Sequence, residues 1–309
     1  MSGLVFQDLV LGLPTPPRPG TEVWATESHE SPGGIANFAV ALARLGLRTG
    51  MAAVFGADDL GDRVWRRLAD DEGIDLALSR RLVGWQTPLT VALAYDNDRA
   101  LVTRGTSPPL SADELITTPP AARAVAAHIG PWPNEWLAKA KAAGSVVFAD
   151  VGWDPTEAWD PAVLDQLAHC DVFLPNADEA MAYTRTTSPG AALEVLATKV
   201  PLVVVSNGAD GAEALDAVTG ERVAVPAYPV PAADTTGAGD VFAAGFIAAT
   251  LWELPLEQRL RFAALTAALS VTRLGGADAA PRWDDLAAWQ AAHPEDHHLQ
   301  ALIGAHSGR

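Results

Sequence analysis

Short apolar runs alternate with segments of helical periodicity along most of the chain. The runs are rich in Val, Phe and Leu and are bounded by Gly, Pro, Asp or Asn, which is typical of buried strands. We predict strands at residues 4–13, 49–56, 145–151, 171–176 and 201–208. Because strands that alternate with helices form βαβ units, the pattern predicts an α/β fold with a mostly parallel sheet that is covered on both faces.

Apolar residues recur at helical spacing between these runs. The clearest example is the segment 35–45, IANFAVALARL, which Gly46 follows as a C-terminal stop signal. The same spacing predicts helices at 60–72, 133–143, 161–168, 178–183, 239–251 and 257–273. Four histidines lie near the C-terminus, where we expect a terminal helix or a solvated tail rather than a metal site; they are His293, His297, His298 and His306.

Two segments, 15–31 and 84–106, break the alternation because they contain no helical period. The second holds apolar runs at Leu89–Tyr95 and 100–103 around an Asp-Asn-Asp turn at 96–98, which predicts a β-hairpin. Such a patch is expected to form a small lid sheet over the carboxyl ends of the core strands, where ligands bind; the alternative is an edge hairpin of the main sheet. We assign residues 1–14, 32–83 and 107–309 to an α/β core and residues 15–31 and 84–106 to the lid.

Composition and charge narrow the class of protein. The chain has 309 residues, of which 49% are hydrophobic, and a net charge of −17. Such a chain can form a large core, and its acidity argues against nucleic acid or an anionic membrane surface as a partner. No apolar stretch reaches the length of a membrane span, the N-terminus lacks a basic segment before its apolar run, and Cys170 is the single cysteine. We therefore expect a cytoplasmic protein.

The segment 234–247, DTTGAGDVFAAGFI, carries the strongest signal for chemistry. Glycines immediately before a helix let backbone N–H groups converge on an anion, and the helix dipole adds positive potential. This arrangement suits a phosphoryl group in transfer, and it supplies the local positive potential that an acidic protein needs to bind one. Asp240, in the predicted first turn, is placed to accept a proton from an attacking hydroxyl. Taken alone it would be an ordinary helix-capping carboxylate, but the glycines and Asp234 beside it favour the catalytic interpretation.

The chain contains neither a GxxxxGK[ST] motif nor a GxGxxG after its first strand, which disfavours P-loop NTPases and dinucleotide-binding oxidoreductases. It resembles instead the ribokinase-like (PfkB) carbohydrate kinases. The segment 234–247 resembles that family's C-terminal signature, and SPGGIANFAVALARLG followed by VFGADDLGD resembles its first signature, with Ile35 where Gly, Ala or Pro is usual. The resemblance continues through LPNADE, VVVSNGADG and ALSVTRLGG. It implies a three-layer ribokinase-like α/β core with a mostly parallel sheet and a small β-sheet lid.

The resemblance also implies roles for single residues at the phosphoryl-transfer site. Asp240 would be the general base, and the amides of Gly237, Ala238 and Gly239 would form the anion hole. Asn176 and Glu179 match the family's NxxE element, which is associated with placing magnesium and phosphate. The same two residues also spell a helix N-cap with a first-turn Glu, and both interpretations can hold together.

The nucleotide side of the site is implied in the same way. Ser206, Gly208 and Gly211 match the strand and turn that approach ATP, although NGADG is also a good hairpin turn. The segment 271–276 would line the adenine pocket, and with Asp234 and Thr236 its carbonyls would form a site for a monovalent cation such as K⁺. The residues assigned to ATP are Asn176, Ser206, Gly208, Gly211, Thr235, Gly237 and Gly239.

On the acceptor side, the resemblance implies a pocket built from Asp8, Gly33, Gly34 and Asn37, whose carboxylate and amide suit a polyol. Arg104, in VTRGT at the end of the hairpin, resembles the Arg that acid-sugar kinases place over a carboxylate, and fructokinase-like members have it too; a solvated strand-end charge is the alternative. Few residues precede Asp8, so a short first strand and a start codon set too far downstream both remain open.

Three functions remain open from the sequence. The first is an ATP-dependent kinase of a small sugar such as ribose, fructose or 2-keto-3-deoxygluconate. Phosphosugar kinases usually carry a basic residue near the Gly-Gly turn, and here Ile35 occupies that stretch, which favours an unphosphorylated acceptor. The second is a nucleoside kinase with the same machinery, for which Trp24, Trp85 and Trp132 are available to stack on a base. The third is a sensor without catalysis. The resemblance also implies a homodimer through the lid.

Overall fold

The strands form three sheets in the computed structural model, which describes residues 1–95, 98–154 and 156–306. Asp96 and Asn97 of the predicted hairpin turn lie outside these described residues. The strands are β1 (Val5–Gly12), β2 (Glu27–Gly34), β3 (Val54–Gly56), β4 (Arg80–Leu82), β5 (Leu89–Tyr95), β6 (Asp98–Arg104), β7 (Ala124–Ile129), β8 (Val146–Val151), β9 (Val172–Phe173), β10 (Leu202–Ser206), β11 (Ala212–Asp216) and β12 (Arg222–Val225).

The largest sheet has six strands in the order β12-β11-β10-β9-β8-β7. Strands β7 to β10 run parallel, while β11 and β12 are antiparallel additions at one edge. At the other edge, Ser2 forms parallel bridges to Ala127 of β7 and to Ala52, which lies just before the parallel pair β3 and β4. A single residue near the N-terminus therefore joins the six-stranded sheet to the two-stranded one, and the predicted mostly parallel core is confirmed.

The second large sheet contains the predicted hairpin. Its order is β2-β1-β5-β6, with β5 and β6 antiparallel and β1 parallel to β5. This sheet is separate from the six-stranded one, so the hairpin belongs to a small lid sheet and does not extend the main sheet. The sequence assignment placed residues 1–14 in the core, whereas strand pairing places β1 in the lid sheet, because its apolar run is flanked by β2 and β5 rather than by core strands.

The helices connect the strands and cover the core sheet. They are α1 (Ile35–Arg44), α2 (Asp59–Arg66), α3 (Ala112–Leu115), α4 (Glu135–Ala142), α5 (Ala177–Thr184), α6 (Pro189–Leu196), α7 (Ala238–Leu251), α8 (Leu256–Ser270), α9 (Gly276–Ala279), α10 (Trp283–Ala292) and α11 (Gln300–His306). A π-helical turn, Arg67–Asp71, continues α2, and the predicted helix at 161–168 is a 3₁₀ helix, Pro161–His169.

Two hydrophobic clusters lie on opposite faces of the core sheet. Because successive side chains of a strand point to opposite faces, Phe148 packs with α1, α7 and α8 while its neighbour Val147 packs with α4 and α6. The same alternation separates Val204 from Val203 on β10. The result is the predicted three-layer arrangement of helices, sheet and helices.

Local signals explain how well each element is predicted. Helix α1 ends where expected, since Gly46 adopts the left-handed backbone that closes a helix, with φ of 85°. Strand β2, ESHESPGG, is held by pairing to β1. It has almost no apolar residues, so no apolar run in the sequence predicts it. Strand β9 is confined to two residues of the predicted run 171–176.

Two of the four C-terminal histidines, His293 and His306, belong to packed structure, whereas His297 and His298 are exposed. Residues Gln300–His306 form α11, and the ring of His306 stacks on Trp283 with centroids 4.4 Å apart. His293 stacks in the same way on Trp289. Within the described ranges, no helix combines the length and the apolar character that crossing a bilayer requires.

A buried ion pair ties the end of α1 to the helices that follow. Arg44 and Glu72 approach to 2.7 Å with side chains that are 6% and 2% exposed. The guanidinium also donates to the carbonyl oxygens of Asp278 and Ala280 at 2.8 Å, and Arg282 reaches the other oxygen of Glu72. These contacts fix the segment after α8 against α1, which is the segment that borders the candidate site.

Replacing Glu72 by Leu is therefore expected to lower the free energy of unfolding by up to about 3–5 kcal/mol, because buried Arg44 would keep only the more distant Asp278 carboxylate, at 3.4 Å, as its countercharge. Urea denaturation followed by circular dichroism measures the loss. Glu194→Gln is the matched control: its partner Arg222 is exposed, and such surface pairs contribute less than about 1 kcal/mol. Equal, small losses in both variants would contradict a structural role for the buried pair.

Candidate active site

The loop before α7 has the geometry expected of an anion site. Gly237 caps the helix with φ of 73°, a conformation that favours glycine, and a Cβ there would lie 2.9 Å from the side-chain amide of Asn37. The chain can therefore pass close to Asn37 and turn directly into the helix. The first amides of α7, including that of Gly239, lie at the positive end of the helix dipole.

Asp234 fixes this loop to a second one. It is 4% exposed, and its two oxygens accept the backbone N–H groups of Thr236 at 2.9 Å and of Gly275 at 3.0 Å. The carboxylate thus joins the start of the glycine loop to the segment 271–276. The hydroxyl oxygen of Thr236 is buried without a hydrogen-bond partner in the structure. A monovalent cation at Asp234 and Thr236 remains a prediction.

Asp240 lies in the first turn of α7 and is held from two sides. The Nδ2 amide of Asn37, in the first turn of α1, donates to Oδ2 of Asp240 at 2.8 Å. Nε2 of His128, near the end of β7, lies 3.5 Å from Oδ1. The Asp240 side chain is 20% exposed, so it remains accessible to a small molecule from the open side.

Other buried carboxyl groups lie close to Asp240, and their pKa values are raised. Burial, and then the charges of Glu179 and Asp240, raise the pKa of Asp150 well above its ordinary value. Burial raises the pKa of Glu179 to about 7, with a further increase from Asp240. Ligand atoms of His128, Asp150 and Asp240 all lie within 4.8 Å of one another, an arrangement able to hold a metal ion.

The residues predicted to form the acceptor pocket lie where β1, β2 and α1 meet. Asp8 is 5% exposed and its carboxylate lies against the backbone of Gly33, so closely that a Cβ at Gly33 would overlap it. Gly34, with φ of 64°, turns β2 directly into α1 and thereby positions Asn37. Asp8, Gly33, Gly34 and Asn37 therefore meet in one place, beside Asp240.

The negative charge of Asp240 also affects the pKa of Asp8. Burial, then the charge of Asp240, raises the pKa of Asp8 to about 7, against a lowering by a hydrogen bond with Thr90. The hydroxyl oxygens of Thr90 and Thr103 lie 3.0 Å apart, within hydrogen-bond distance. Asp8, Thr90 and Thr103 therefore form a polar row across the lid sheet.

Two of the residues predicted to face the nucleotide, Asn176 and Ser206, are brought together at the end of the core sheet. Asn176 caps α5 and exchanges hydrogen bonds with Glu179: its Oδ1 accepts the Glu179 amide at 2.9 Å, and Glu179 Oε2 accepts its backbone N–H at 3.0 Å. Asn176 also pairs with Ser206 at the end of β10. The predicted capping box is therefore confirmed, and magnesium at these residues remains a prediction.

The turn after Ser206 is the predicted hairpin between β10 and β11. Gly208 has φ of 52° and Gly211 has φ of 97°. A Cβ at Gly211 would overlap the carbonyl oxygen of Val225 on the neighbouring strand, so the turn requires glycine there. Contact of this turn with ATP remains a prediction.

The lid hairpin contributes an arginine that the sequence did not single out. Arg99, at the start of β6, donates a hydrogen bond to the hydroxyl of Thr235 in the glycine loop. Arg104, at the other end of β6, donates to Gln86 at 2.6 Å and lies in an open pocket with Asp58 and Trp85. Since neighbouring strand residues point to opposite faces and Thr103 faces the Asp8 row, Arg104 lies on the other face. A role for Arg104 in substrate binding remains a prediction.

Sequence reasoning missed His128 and Asp150, both of which lie beside Asp240. The run AVAAHI at Ala124–Ile129, followed by Gly130, is apolar and bounded by a turn residue, and that signal would have marked β7. Asp150 ends the predicted strand 145–151, and carboxylates at the carboxyl ends of parallel strands are candidates for a site.

The raised pKa of Asp8 predicts a pH dependence of stability. The unfolded chain releases this proton near 3.8 and the folded chain near 7, so the free energy of unfolding falls as the pH rises between these values. Asp8→Asn should reduce that fall by at most about 4 kcal/mol and make the variant more stable than wild type above pH 7.

Urea unfolding at pH 4.5, 6 and 8 measures this effect. Asp150 and Glu179 keep part of the slope in the variant, because burial raises their pKa values too. Asp165→Asn, at a side chain that is 78% exposed, is the control and should follow wild type. A wild-type slope retained in full by Asp8→Asn would show that Asp8 is ionised in the folded protein throughout this range.

Comparison with known proteins agrees with this geometry. Residues 10–283 match the pfkB family carbohydrate kinases. The ATP-dependent ribose-1-phosphate kinase of Halopiger xanaduensis is 31% identical over 294 residues, which cover 93% of this chain and 96% of the relative.

Solved structures share the fold. The ribokinase of Arabidopsis thaliana in complex with ribose and ATP superposes with a TM-score of 0.75 at 25% identity, covering 93% of this chain and 96% of that one. Ribokinase from Thermotoga maritima gives a TM-score of 0.74 at 23% identity, over 94% and 98% of the two chains. The match over most of the chain and the shared fold show that this protein belongs to the pfkB family of carbohydrate kinases, phosphotransferases with an alcohol group as acceptor.

Proposed function

We propose that the protein is an ATP-dependent kinase that transfers the γ-phosphoryl group to a hydroxyl of a small, uncharged sugar. One observation carries the proposal: the Asp240 carboxylate lies in the first turn of α7, directly after the glycine loop, and is hydrogen-bonded to Asn37 of the acceptor side. Because the base and the anion site share one helix N-terminus, the base can deprotonate the attacking hydroxyl while the anion site binds the phosphoryl group that is transferred.

The chain's own groups account for the main steps. The acceptor sugar lies against Asp8 and the Gly33 backbone, which bind its hydroxyls and orient one of them toward Asp240. Oδ1 or Oδ2 of Asp240 takes the proton of that hydroxyl as its oxygen attacks the γ-phosphorus. The amides of Gly237 and Gly239 donate to the phosphoryl oxygens as negative charge develops on them. The Ala238 amide, predicted to join them, donates instead to the carbonyl oxygen of Thr235 at 3.3 Å. The lid sheet covers the site and excludes water, with Arg99 joining it to the glycine loop.

ATP would bind along the carboxyl edge of the core sheet. The turn containing Gly208 and Gly211 and the segment 271–276 would border its adenosine part, while Thr235 and the glycine loop would face its phosphates. Asp234 supports this arrangement because it holds segment 271–276 to the loop through two backbone hydrogen bonds. A K⁺ ion near Asp234 and Thr236 is part of the same proposal.

Magnesium also fits the residues present. Asp150 and Glu179 are buried beside Asp240, and their raised pKa values show that nearby groups leave their negative charge incompletely balanced. Carboxylate oxygens are the ligands that Mg²⁺ prefers, so Glu179, with Asn176 beside it, would hold the ion through water. When bound, Mg²⁺ supplies positive charge to the transferring phosphoryl group.

An uncharged acceptor is favoured by the charges near Asp240. Asp8 and Glu179, whose pKa values are raised to about 7, carry part of a negative charge at neutral pH and would repel an anionic sugar. Arg104 lies on the face of β6 opposite to the Asp8 row. The relative from Halopiger xanaduensis is named for an acceptor that carries a phosphate, so ribose 1-phosphate is the direct competitor in a test. The acid sugar 2-keto-3-deoxygluconate is the second anionic competitor.

A nucleoside is the alternative acceptor. Trp132 follows β7 by three residues and covers Gly130, with its side chain 43% exposed. An exposed indole close to the strand that carries His128 offers a face on which a base can stack. Trp24 is 80% exposed, whereas Trp85 is partly buried and donates to the carbonyl of Ser107.

Two further predictions from the sequence belong to this proposal. The first is a homodimer through the lid: the edge strand β6 exposes Leu101 and Val102, which are 51% and 63% accessible. Such an edge can pair with a second copy. The second is a cytoplasmic location.

A panel of acceptors with Mg²⁺-ATP and coupled detection of ADP tests the proposal. We expect turnover with an uncharged sugar such as ribose or fructose, and kcat/KM at least about tenfold lower for ribose 1-phosphate and 2-keto-3-deoxygluconate, because about 1.4 kcal/mol of repulsion produces that ratio. Adenosine and cytidine test the nucleoside alternative. Repeating the panel with and without K⁺ tests the monovalent cation.

Asp240→Asn is the matched variant. It should lower kcat by about 10²- to 10⁴-fold while ATP binding, measured by calorimetry, stays nearly unchanged, since the variant loses the base and keeps the loop. Comparable turnover in Asp240→Asn would remove the base assignment. A preference for either anionic sugar would contradict the proposal of an uncharged acceptor but would still agree with the proposed kinase activity.

A further inference from the structure

His128 is a titratable side chain in the site that the mechanism above does not use. It lies one residue before the end of β7, with its side chain 16% exposed and its ring packed edge-on against Phe38 at 5.5 Å. Its Nε2 atom is buried, has no hydrogen-bond partner in the structure and lies 3.5 Å from Oδ1 of Asp240. A buried polar atom without a partner is costly, so its direction toward Asp240 calls for an explanation.

The two oxygens of Asp240 face two different elements. Oδ2 accepts the Nδ2 amide of Asn37 on α1, and Oδ1 faces Nε2 of His128 on β7. Among the residues that the structure describes, His128 is the one basic side chain within ion-pair distance of Asp240. Phe38 follows Asn37 on α1 and braces the His128 ring, so the same helix that holds one oxygen also fixes the group that faces the other.

Three other acidic groups lie around Asp240. Asp8 lies on its lid side and Asp150 and Glu179 on its core side, and each has a pKa raised by burial and by the charge of Asp240. A hydrogen-bond donor on Oδ1 therefore stabilises the Asp240 carboxylate in these acidic surroundings. The charge of His128 also lowers the pKa of Glu179.

We propose that His128 is a positioning residue for the catalytic base, donating from Nε2 to Oδ1 of Asp240 and so fixing the carboxylate between two donors. The inference rests on the proposed role of Asp240. The 3.5 Å separation exceeds a good hydrogen bond by about 0.5 Å, a distance that closure of the site on its substrates would remove. The Nε2–H form of the ring is required, and Nδ1 plays no part.

Three substitutions of His128 separate positioning from packing. Gln places an amide N–H near the position of Nε2, whereas Asn is also polar but too short to reach it, and Leu removes the donor altogether. We expect His128→Leu and His128→Asn to lower kcat on the order of 10²-fold, with the KM values for sugar and ATP within about threefold of wild type. His128→Gln should recover most of the loss. Thermal unfolding of each variant checks that the fold is retained.

A double-mutant cycle with Asp240→Asn tests whether His128 acts through Asp240. If it does, His128→Leu in the Asp240→Asn background should change kcat by less than about threefold, because the group it positions is already absent. If Leu does not fold, the Asn and Gln variants carry the same comparison. Full turnover in Asp240→Asn would refute the proposed base itself, whereas an inactive Asp240→Asn beside an unaffected His128→Leu would refute the positioning role alone.

Three other results would overturn the inference. An unchanged kcat with a raised sugar KM would make His128 a direct substrate contact. A raised Mg²⁺ requirement in the His128→Gln and His128→Leu variants would assign the residue to an ion shared with Asp150 and Asp240, whose ligand atoms lie within 4.8 Å of it. Equal losses in Gln, Asn and Leu that follow the loss of thermal stability would make the role one of packing.

Discussion

Asp8, Asp150, Glu179 and Asp240 bring four carboxyl groups together in a site that is largely closed to water, and each of the first three has its pKa raised by burial and by the charge of Asp240. Like charges in a poorly solvated place repel strongly, so this arrangement persists only if other groups compensate for it. The glycine loop and the donors that face Asp240 are the parts of the structure that offset this repulsion.

The compensation comes mostly from groups that carry no full charge. The N-terminus of α7 places the positive end of a helix dipole at the glycine loop, and Asp234 holds the loop in place through two backbone N–H groups. Asn37 donates to Asp240, and its position depends on the Gly33-Gly34 turn that leads from β2 into α1. The proposed binding of ATP by a protein with a net charge of −17 rests on such local dipoles, because they act at the loop independently of the charge of the surface.

The parts of the site that local sequence determines could be predicted. Glycines before a helix, an Asn with a Glu three residues later, and an Asp-rich turn between apolar runs each act over a few residues, and α7, the α5 capping box and the β5–β6 hairpin follow them. The three layers also follow, since strands and helices alternate.

The parts that depend on distant pairing could not be predicted. Strand β2 is polar, and its pairing with β1 is what places β1 in the lid sheet. His128 belongs to a strand that the sequence did not predict. It faces a carboxylate more than a hundred residues away in the chain, so no local sequence pattern predicts its role. Arg104 and Thr103 are neighbours whose side chains point to opposite faces of the lid, and the sequence does not say which of the two faces Asp8.

A crystal structure of the protein with an uncharged sugar and a non-hydrolysable Mg²⁺-ATP analogue tests the central claim most directly. The account predicts one sugar hydroxyl within about 3 Å of an Asp240 carboxylate oxygen and the γ-phosphate on the amides of Gly237 and Gly239. A sugar bound with all its hydroxyls beyond hydrogen-bond reach of Asp240, or phosphates held away from the glycine loop, would contradict it.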